Sequence, residues 1–193
     1  MSSLAFTVAQ ACYLFSPFLV ASALSGVVLK LDLFPWMKRP LDFGATVRGH
    51  RVFGANKTWR GLVATALGCV VGVAIQRFAI GGRAGELALV DYAHSSPLWI
   101  GVAMGVGATI GELPNSFVKR QLGVAPGTPA RGAKSVLFYV WDQVDLLTTT
   151  WPLMLFWVRP TWLVVGVTFA LAAIVHPLLT LIGYLVGARK SAR

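Results

Sequence analysis

The sequence predicts an all-α, polytopic membrane protein: one transmembrane domain over residues 1–193, a bundle of about five spanning helices, N-terminus outside and C-terminus cytoplasmic. Three observations carry this expectation. Apolar residues make up 56% of the 193 and charged residues only 12%, with a mean hydropathy of +0.69, outside the usual range of soluble domains. The apolar residues gather into separate runs of helical length. Lysine and arginine are spread unevenly among the connections, as they are around short cytoplasmic loops.

A helix that crosses a hydrocarbon core of about 30 Å needs roughly 20 residues. The first run, Leu4 to Leu29, belongs to a 29-residue stretch without charge. Its Ala21-Ser22-Ala23 looks like a signal-peptidase site, but no basic segment precedes it, so a retained span is expected. Trp59 to Ile75 is the second run. The third, Pro97 to Val118, is interrupted by Glu112 and Pro114, where a kink or a half-span is expected. Val136 to Val158 carries Asp142 and Asp145 near its start, and Trp162 to Gly187 completes the set.

Orientation follows from the basic residues. The first connection holds Lys30, Lys38, Arg39, Arg48, Arg51, Lys57 and Arg60; the third holds Lys119, Arg120, Arg131 and Lys134; the C-terminal tail holds Arg189, Lys190 and Arg193. With five spans these segments share one side, which has 14 of the 17 basic residues, whereas Arg77, Arg83 and Arg159 face the other. The catalytic loops are therefore expected on the cytoplasmic face, at about 30–60 and 112–135, of a protein in the cell membrane.

A net charge of +10 in a soluble protein would point to nucleic acid. Here the cations crowd into short segments between apolar runs, which points instead to anionic headgroups and phosphates, with no nucleic acid as partner. Cys12 and Cys69 have no metal spacing and read as buried thiols. Small-residue pairs at helix-packing spacing, Gly68/Gly72, Gly101/Gly105, Gly107/Gly111 and Gly183/Gly187, fit either close packing within the bundle or the seam of a homodimer.

Few acidic residues are present, and Asp142 with Asp145 stands out. Three positions apart on a helix, they share a face at or inside the membrane boundary. Ionised groups there are costly without partners. Two partners suit them: a divalent cation such as Mg²⁺, completed by water and substrate phosphate, or the cations of Lys119, Arg120 or Lys134. The first connection, Asp42 to Gly61, has glycines at 44, 49, 54 and 61 ahead of Lys57, Thr58 and Arg60 at the mouth of a helix. That arrangement suits phosphate, though it lacks the Walker A spacing and also suits a loop that grips lipid headgroups. Asn115 and Ser116 precede Lys119 and Arg120 at helical spacing, where they can continue the charged pocket. His50, His94 and His176 read as loop or packing residues.

Together these segments resemble the CDP-archaeol synthase family and, more distantly, the integral-membrane phosphatidate cytidylyltransferases. The likeness rests on Asp42-x-Gly44, Gly49-x-Arg51-x-Phe53-Gly54, Asn56-Lys57-Thr58-Trp59-Arg60-Gly61, Ser116-x-x-Lys119-Arg120-x-x-Gly123 and Asp142-x-x-Asp145, in family order over nearly the whole chain. The resemblance implies a Mg²⁺-dependent transfer of cytidylate from CTP to a lipid phosphate. It implies nucleotide binding by Asp42, Gly44, Asn56, Lys57, Thr58, Arg60, Ser116, Lys119 and Arg120, catalysis by Asp142, Asp145 and Lys119, and metal on Asp142 and Asp145. The chain departs from the family pattern at Glu112, where aspartate is expected, at Ala125, and in the length of Ala130 to Tyr139. Two rival classes use the same residues. An anionic-lipid transporter would need pseudo-symmetric halves, and the sequence shows no internal repeat. A non-catalytic lipid- or nucleotide-binding protein would keep the pocket without turnover.

Overall fold

A computed structural model describes residues 4–79, 83–128, 130, 132 and 134–187 of the chain; Arg131, Arg189, Lys190 and Arg193, used above for orientation, lie outside them. The first apolar run is two helices, α1 (Leu4–Phe15) and α2 (Pro17–Lys30). Pro17 has no N–H to continue the α1 ladder and starts α2 at its first position, where that loss costs nothing. Ser16 seals the joint: its hydroxyl donates to the Tyr13 carbonyl at 2.9 Å and accepts from Gln76 Nε2 at 2.9 Å.

After a 3₁₀ turn at Pro35–Met37, the hairpin β1 (Thr46–Val47) and β2 (His50–Arg51) pairs Thr46 with Arg51 and Val47 with His50. The helices α3 (Trp59–Phe78), a short α4 (Arg83–Leu87), α5 (Pro97–Gln121), α6 (Lys134–Met154) and α7 (Trp162–Leu185) follow. Thr58 caps α3, its hydroxyl accepting from the Gly61 N–H at 3.1 Å. Among the described residues three stretches are long and apolar enough to span a membrane: Leu4–Lys30, Trp59–Phe78 and Trp162–Leu185. The helices α5 and α6 are of comparable length but carry the site's polar residues.

Three expectations change. Cys12 is exposed rather than a buried thiol, while Cys69 is buried. No half-span forms at Glu112-Leu113-Pro114, because α5 continues through Pro114 to Gln121. Residues 112–121 are therefore helix rather than loop, and the third connection begins at Leu122. This places Glu112, Asn115 and Lys119 on successive turns of one rigid face instead of on a flexible segment.

The core of the bundle is the packed series α2–α3–α5–α6, with α7 against α1 and α6. Glycines set its spacing. Gly68 and Gly72 meet α2, where a Cβ on Gly72 would lie 2.6 Å from Pro17 Cα; Gly101 and Gly105 meet Val70 and Ala66 of α3. Gly107 and Gly111 meet α6, Gly107 at Thr150 and Gly111 at the Asp145 carbonyl. These three pairs serve packing inside the bundle, where close backbone approach replaces the hydrophobic drive that lipid removes. Around Gly187 the space is open.

At one end of the bundle the buried Tyr92 donates to Gln76 Oε1 at 2.7 Å, and Tyr13 donates to the Gln76 carbonyl at 3.1 Å, tying the α4 connection to α1 and α3. The opposite end collects the end of α2, the start of α3, the C-terminal half of α5 and the N-terminal half of α6, joined by the ion pairs described below.

Gly105→Ala should lower the melting temperature of the detergent-solubilised protein by several degrees, because its Cβ meets the Ala66 backbone and overpacking costs about 1–3 kcal/mol. Gly166→Ala, with nothing within 4 Å, should leave the melting temperature unchanged in the same scan.

Candidate active site

Asp42 organises the first loop. Its side chain is buried, and it accepts from Gly44 N at 3.0 Å, Phe53 N at 3.0 Å, Gly54 N at 3.1 Å and Arg51 Nη2 at 2.5 Å. Burial pushes the carboxyl up, but the Arg51 guanidinium and the three backbone donors outweigh it and hold Asp42 well below the ordinary carboxylate range. Gly44 and Gly54 sit at φ +91 and +95, where an L side chain is strained. The turn chemistry of Asp42-x-Gly44 and Phe53-Gly54 thus wraps the loop around one carboxylate. Asp42 and Gly44 shape the wall of the site through the backbone.

That fold delivers Asn56, Lys57, Thr58 and Arg60 to a cavity of about 240 Å³, whose far wall includes Glu112 and Thr109 of α5. The first turn of α3 also lines it, so the positive end of the α3 dipole faces inward. Lys57 forms an ion pair with Glu112. Burial lowers the Lys57 ammonium, but Glu112, with Asp145 and Asp142 adding to it, raises it above the ordinary lysine value, so the group stays charged. Arg60 Nη1 donates to Asp32 Oδ1 at 2.7 Å and to the Leu33 carbonyl at 3.1 Å.

On the adjoining faces of α5 and α6, Lys119 forms an ion pair with Asp142, with Nζ 2.6 Å from Oδ2. Asn115 ties both aspartates together: Nδ2 donates to Asp142 Oδ1 at 2.6 Å and to Asp145 Oδ2 at 2.8 Å. Gly111 makes this closeness available, since any side chain there would meet the Asp145 carbonyl. Arg120 is buried beneath the first loop, its side chain against Gly54 and within the field of Asp142. The second loop closes over the first, with Pro126 against Gly54 and Gly127 against Asn56.

Three carboxylates, Glu112, Asp142 and Asp145, therefore face two ammonium groups, Lys57 and Lys119. Asp145 Oδ1 and Asn115 Oδ1 are buried and have no hydrogen-bond partner among the described residues. Among the described residues no group of three or more histidine, cysteine, aspartate or glutamate side chains forms a ready metal cage. A divalent metal ion held by one or two carboxylates, with its other positions left to water, needs no such cage.

Asn56, Lys57, Thr58 and Arg60 share the cavity, and Lys119, Asp142 and Asp145 are linked to it through Glu112 and Asn115. Ser116 lies on α5 beside Asn115, half-buried. Three residues gain roles that sequence did not assign them: Asn115 as the bridge, Glu112 as the partner of Lys57, and Asp32 as the partner of Arg60. Glu112, Asn115 and Lys119 recur at spacings of three and four, the signal of one helical face. Asp32 carries no comparable signal.

A second cavity of about 340 Å³ adjoins the first and shares Ser25, Leu29, Thr65, Ala108 and Glu112 with it. Its remaining lining is largely apolar and comes from α1, α2, α6 and α7, including Phe15, Phe18, Leu171 and Leu179.

The family model described as CarS-like CDP-archaeol synthase matches residues 8–192. The chain is 32% identical over 166 residues to the CDP-archaeol synthase of Methanosarcina barkeri, a match covering 79% of this chain and 89% of that relative. To the CDP-archaeol synthase of Pyrococcus furiosus it is 39% identical over 97 residues, 48% of this chain, so here it spans about half the length of the relative, 52%. A solved structure described as an intramembrane enzyme for archaeal membrane lipids biosynthesis superposes with a TM-score of 0.55 at 25% identity, covering 86% of this chain and 89% of that one.

Asp42→Asn should speed amide exchange at Gly44, Phe53 and Gly54 and expose the first loop to protease, because Arg51 and three donors lose their acceptor. In the parent protein the depressed Asp42 value means this stabilisation is present above the unfolded carboxylate value and is lost only as pH falls through the folded one. Protection should therefore persist well below about pH 3.9.

Proposed function

The chain belongs to the CDP-archaeol synthase family, and from that membership we propose that it is a CTP-dependent cytidylyltransferase of the membrane, converting a lipid phosphate to a CDP-activated lipid with release of pyrophosphate. The observation that carries this reading is the junction of two cavities at Glu112: a polar one walled by Lys57 and Arg60, and an apolar one walled by four helices. A triphosphate needs the first, and a phosphate on hydrocarbon tails needs both. Loop and helix ends that hold the cations Lys30, Lys38, Arg39, Lys119 and Lys134 favour the cytoplasmic side for this end of the bundle, where CTP is available.

Both reactants are anions, so the task is neutralisation and alignment. In this reading Lys57 and Arg60, at the mouth of α3, take phosphate oxygens of CTP, and Asn56 and the α3 N-terminus assist. To do so Lys57 exchanges Glu112, and Arg60 exchanges Asp32, for phosphate. Lys119 leaves or shares Asp142 and meets the charge that builds on the α-phosphate. Asp142 and Asp145 would hold Mg²⁺, which supplies Lewis-acid stabilisation of the phosphates when bound. An oxygen of the lipid phosphate, already ionised at neutral pH, forms a bond to the α-phosphorus of CTP; the bond to the bridging oxygen breaks, and pyrophosphate leaves with the electron pair. No side-chain nucleophile takes part. Asn115 holds the two aspartates in register, and Asp42 holds the loop that carries Lys57.

Purified protein with α-labelled CTP, Mg²⁺ and a set of ether- and ester-linked lipid phosphates should form a labelled CDP-lipid. Asp145→Asn should lower the rate by on the order of a hundredfold or more, and Asn115→Leu by about ten- to a hundredfold. Absence of product with every acceptor, alongside intact CTP binding, would refute the enzyme in favour of a nucleotide-binding protein.

A further inference from the structure

The segment between α2 and α3 presents its apolar residues outward. Leu31 is 62% exposed, Phe34 53% and Trp36 74%, and Phe43, 69% exposed, pairs with Trp59 on the first turn of α3 at a ring distance of 6.1 Å. This is not a slack loop. Leu31 N and Leu33 N donate to Val27 and Val28 of α2 at 3.0 Å, Trp59 N donates to the Arg39 carbonyl at 3.0 Å, and Leu41 N to the Lys57 carbonyl at 2.7 Å. Both ends are therefore pinned level with the ends of two helices that are each long and apolar enough to span. Asp32 and Phe34 also adopt left-handed backbone, at φ 51 and φ 54, a conformation unfavourable for either side chain. The exposed cations Lys30, Lys38 and Arg39 flank the aromatic residues.

We propose that Leu31–Arg39 is an interfacial strap that seats Phe34 and Trp36 in the headgroup layer of the leaflet bordering the active site, with Lys30 and Arg39 on anionic lipid phosphates and Lys38 paired with Asp32 within the strap at 2.6 Å. The occupant is the bilayer itself. Aromatic rings with an apolar body and a tolerance for polar surroundings concentrate at this depth, and basic residues beside them add attraction to anionic lipid. The same strap supplies the two acceptors that hold Arg60, the Asp32 carboxylate and the Leu33 carbonyl, so its seating fixes a cation at the mouth of the polar cavity. The inference rests on the membrane embedding and not on the reaction.

In a Cys12→Ala, Cys69→Ala background, a small polarity-sensitive fluorophore on Trp36→Cys reports its surroundings in vesicles of equal parts phosphatidylcholine and phosphatidylglycerol. Emission should be blue-shifted, quenched by a lipid with a nitroxide high on its acyl chain, and protected from aqueous iodide. A label on Phe34→Cys should behave alike, and adding Trp36→Glu should move it into the reach of iodide. Quenching by iodide and not by the lipid nitroxide at Trp36→Cys would overturn the proposal. Protection from both quenchers, with cross-linking between copies, would overturn it too, because a second chain would then cover the surface. No response of the Phe34→Cys label to Trp36→Glu would remove Trp36 as the anchor.

Discussion

The structure depends on one polar bridge between two helices, the Asn115 amide that donates to Asp142 and to Asp145. Two carboxylates three residues apart repel each other and resist removal from water, and a helix carrying them has no reason to dock into an apolar bundle unless something meets them. The Asn115 amide and the Lys119 ammonium do so from the facing helix. The bridge works only because α5 and α6 come unusually close, and Gly111 against the Asp145 carbonyl is the residue that lets them. Packing and chemistry are thus the same contact, so a change made for one is felt by the other.

A second constraint follows from charge. Four cations of the polar cavity and its neighbours are held by acids: Lys57 by Glu112, Arg60 by Asp32, Lys119 by Asp142, Arg51 by Asp42. Partly exposed pairs of this kind repay little more than their own desolvation and ordering, so they stabilise the fold weakly while keeping the groups ordered. In the proposed reaction an incoming polyanion would replace the carboxylates, and a metal ion held by Asp142 and Asp145 would neutralise those released. Arg51–Asp42 is different in kind. Its carboxylate also binds three backbone N–H groups, so that pair belongs to the loop's architecture.

Much of this was legible in the sequence. Apolar runs marked the long helices to within a few residues at most ends, and the glycine pairs foretold the α2–α3, α3–α5 and α5–α6 contacts, although spacing alone could not say whether they faced the bundle or a second copy. The Asp142–Asp145 pair and the Lys57 segment declared themselves by being polar where polarity is costly. What sequence hid was pairing across distance. Nothing in a one-dimensional pattern tells that Glu112 meets Lys57, or that Asp32 meets Arg60. Pro114 misled because a proline inside a helix usually marks a break, yet packing against α6 carries α5 past it to Gln121. Pro17 broke a run that hydropathy alone presented as one helix, since hydropathy does not register a missing N–H.

The central claim is that Asp142 and Asp145, bridged by Asn115, hold a divalent cation together with the phosphates of a nucleotide. The most direct test is the loss of the free-ion paramagnetic resonance signal as Mn²⁺ is titrated into detergent-solubilised protein with and without CTP. The account predicts that CTP tightens Mn²⁺ binding by on the order of tenfold, and that Asp142→Asn with Asp145→Asn abolishes this gain while the protein still melts cooperatively. Equal Mn²⁺ affinity with and without CTP in the parent protein, or an undiminished gain in the double variant, would contradict it.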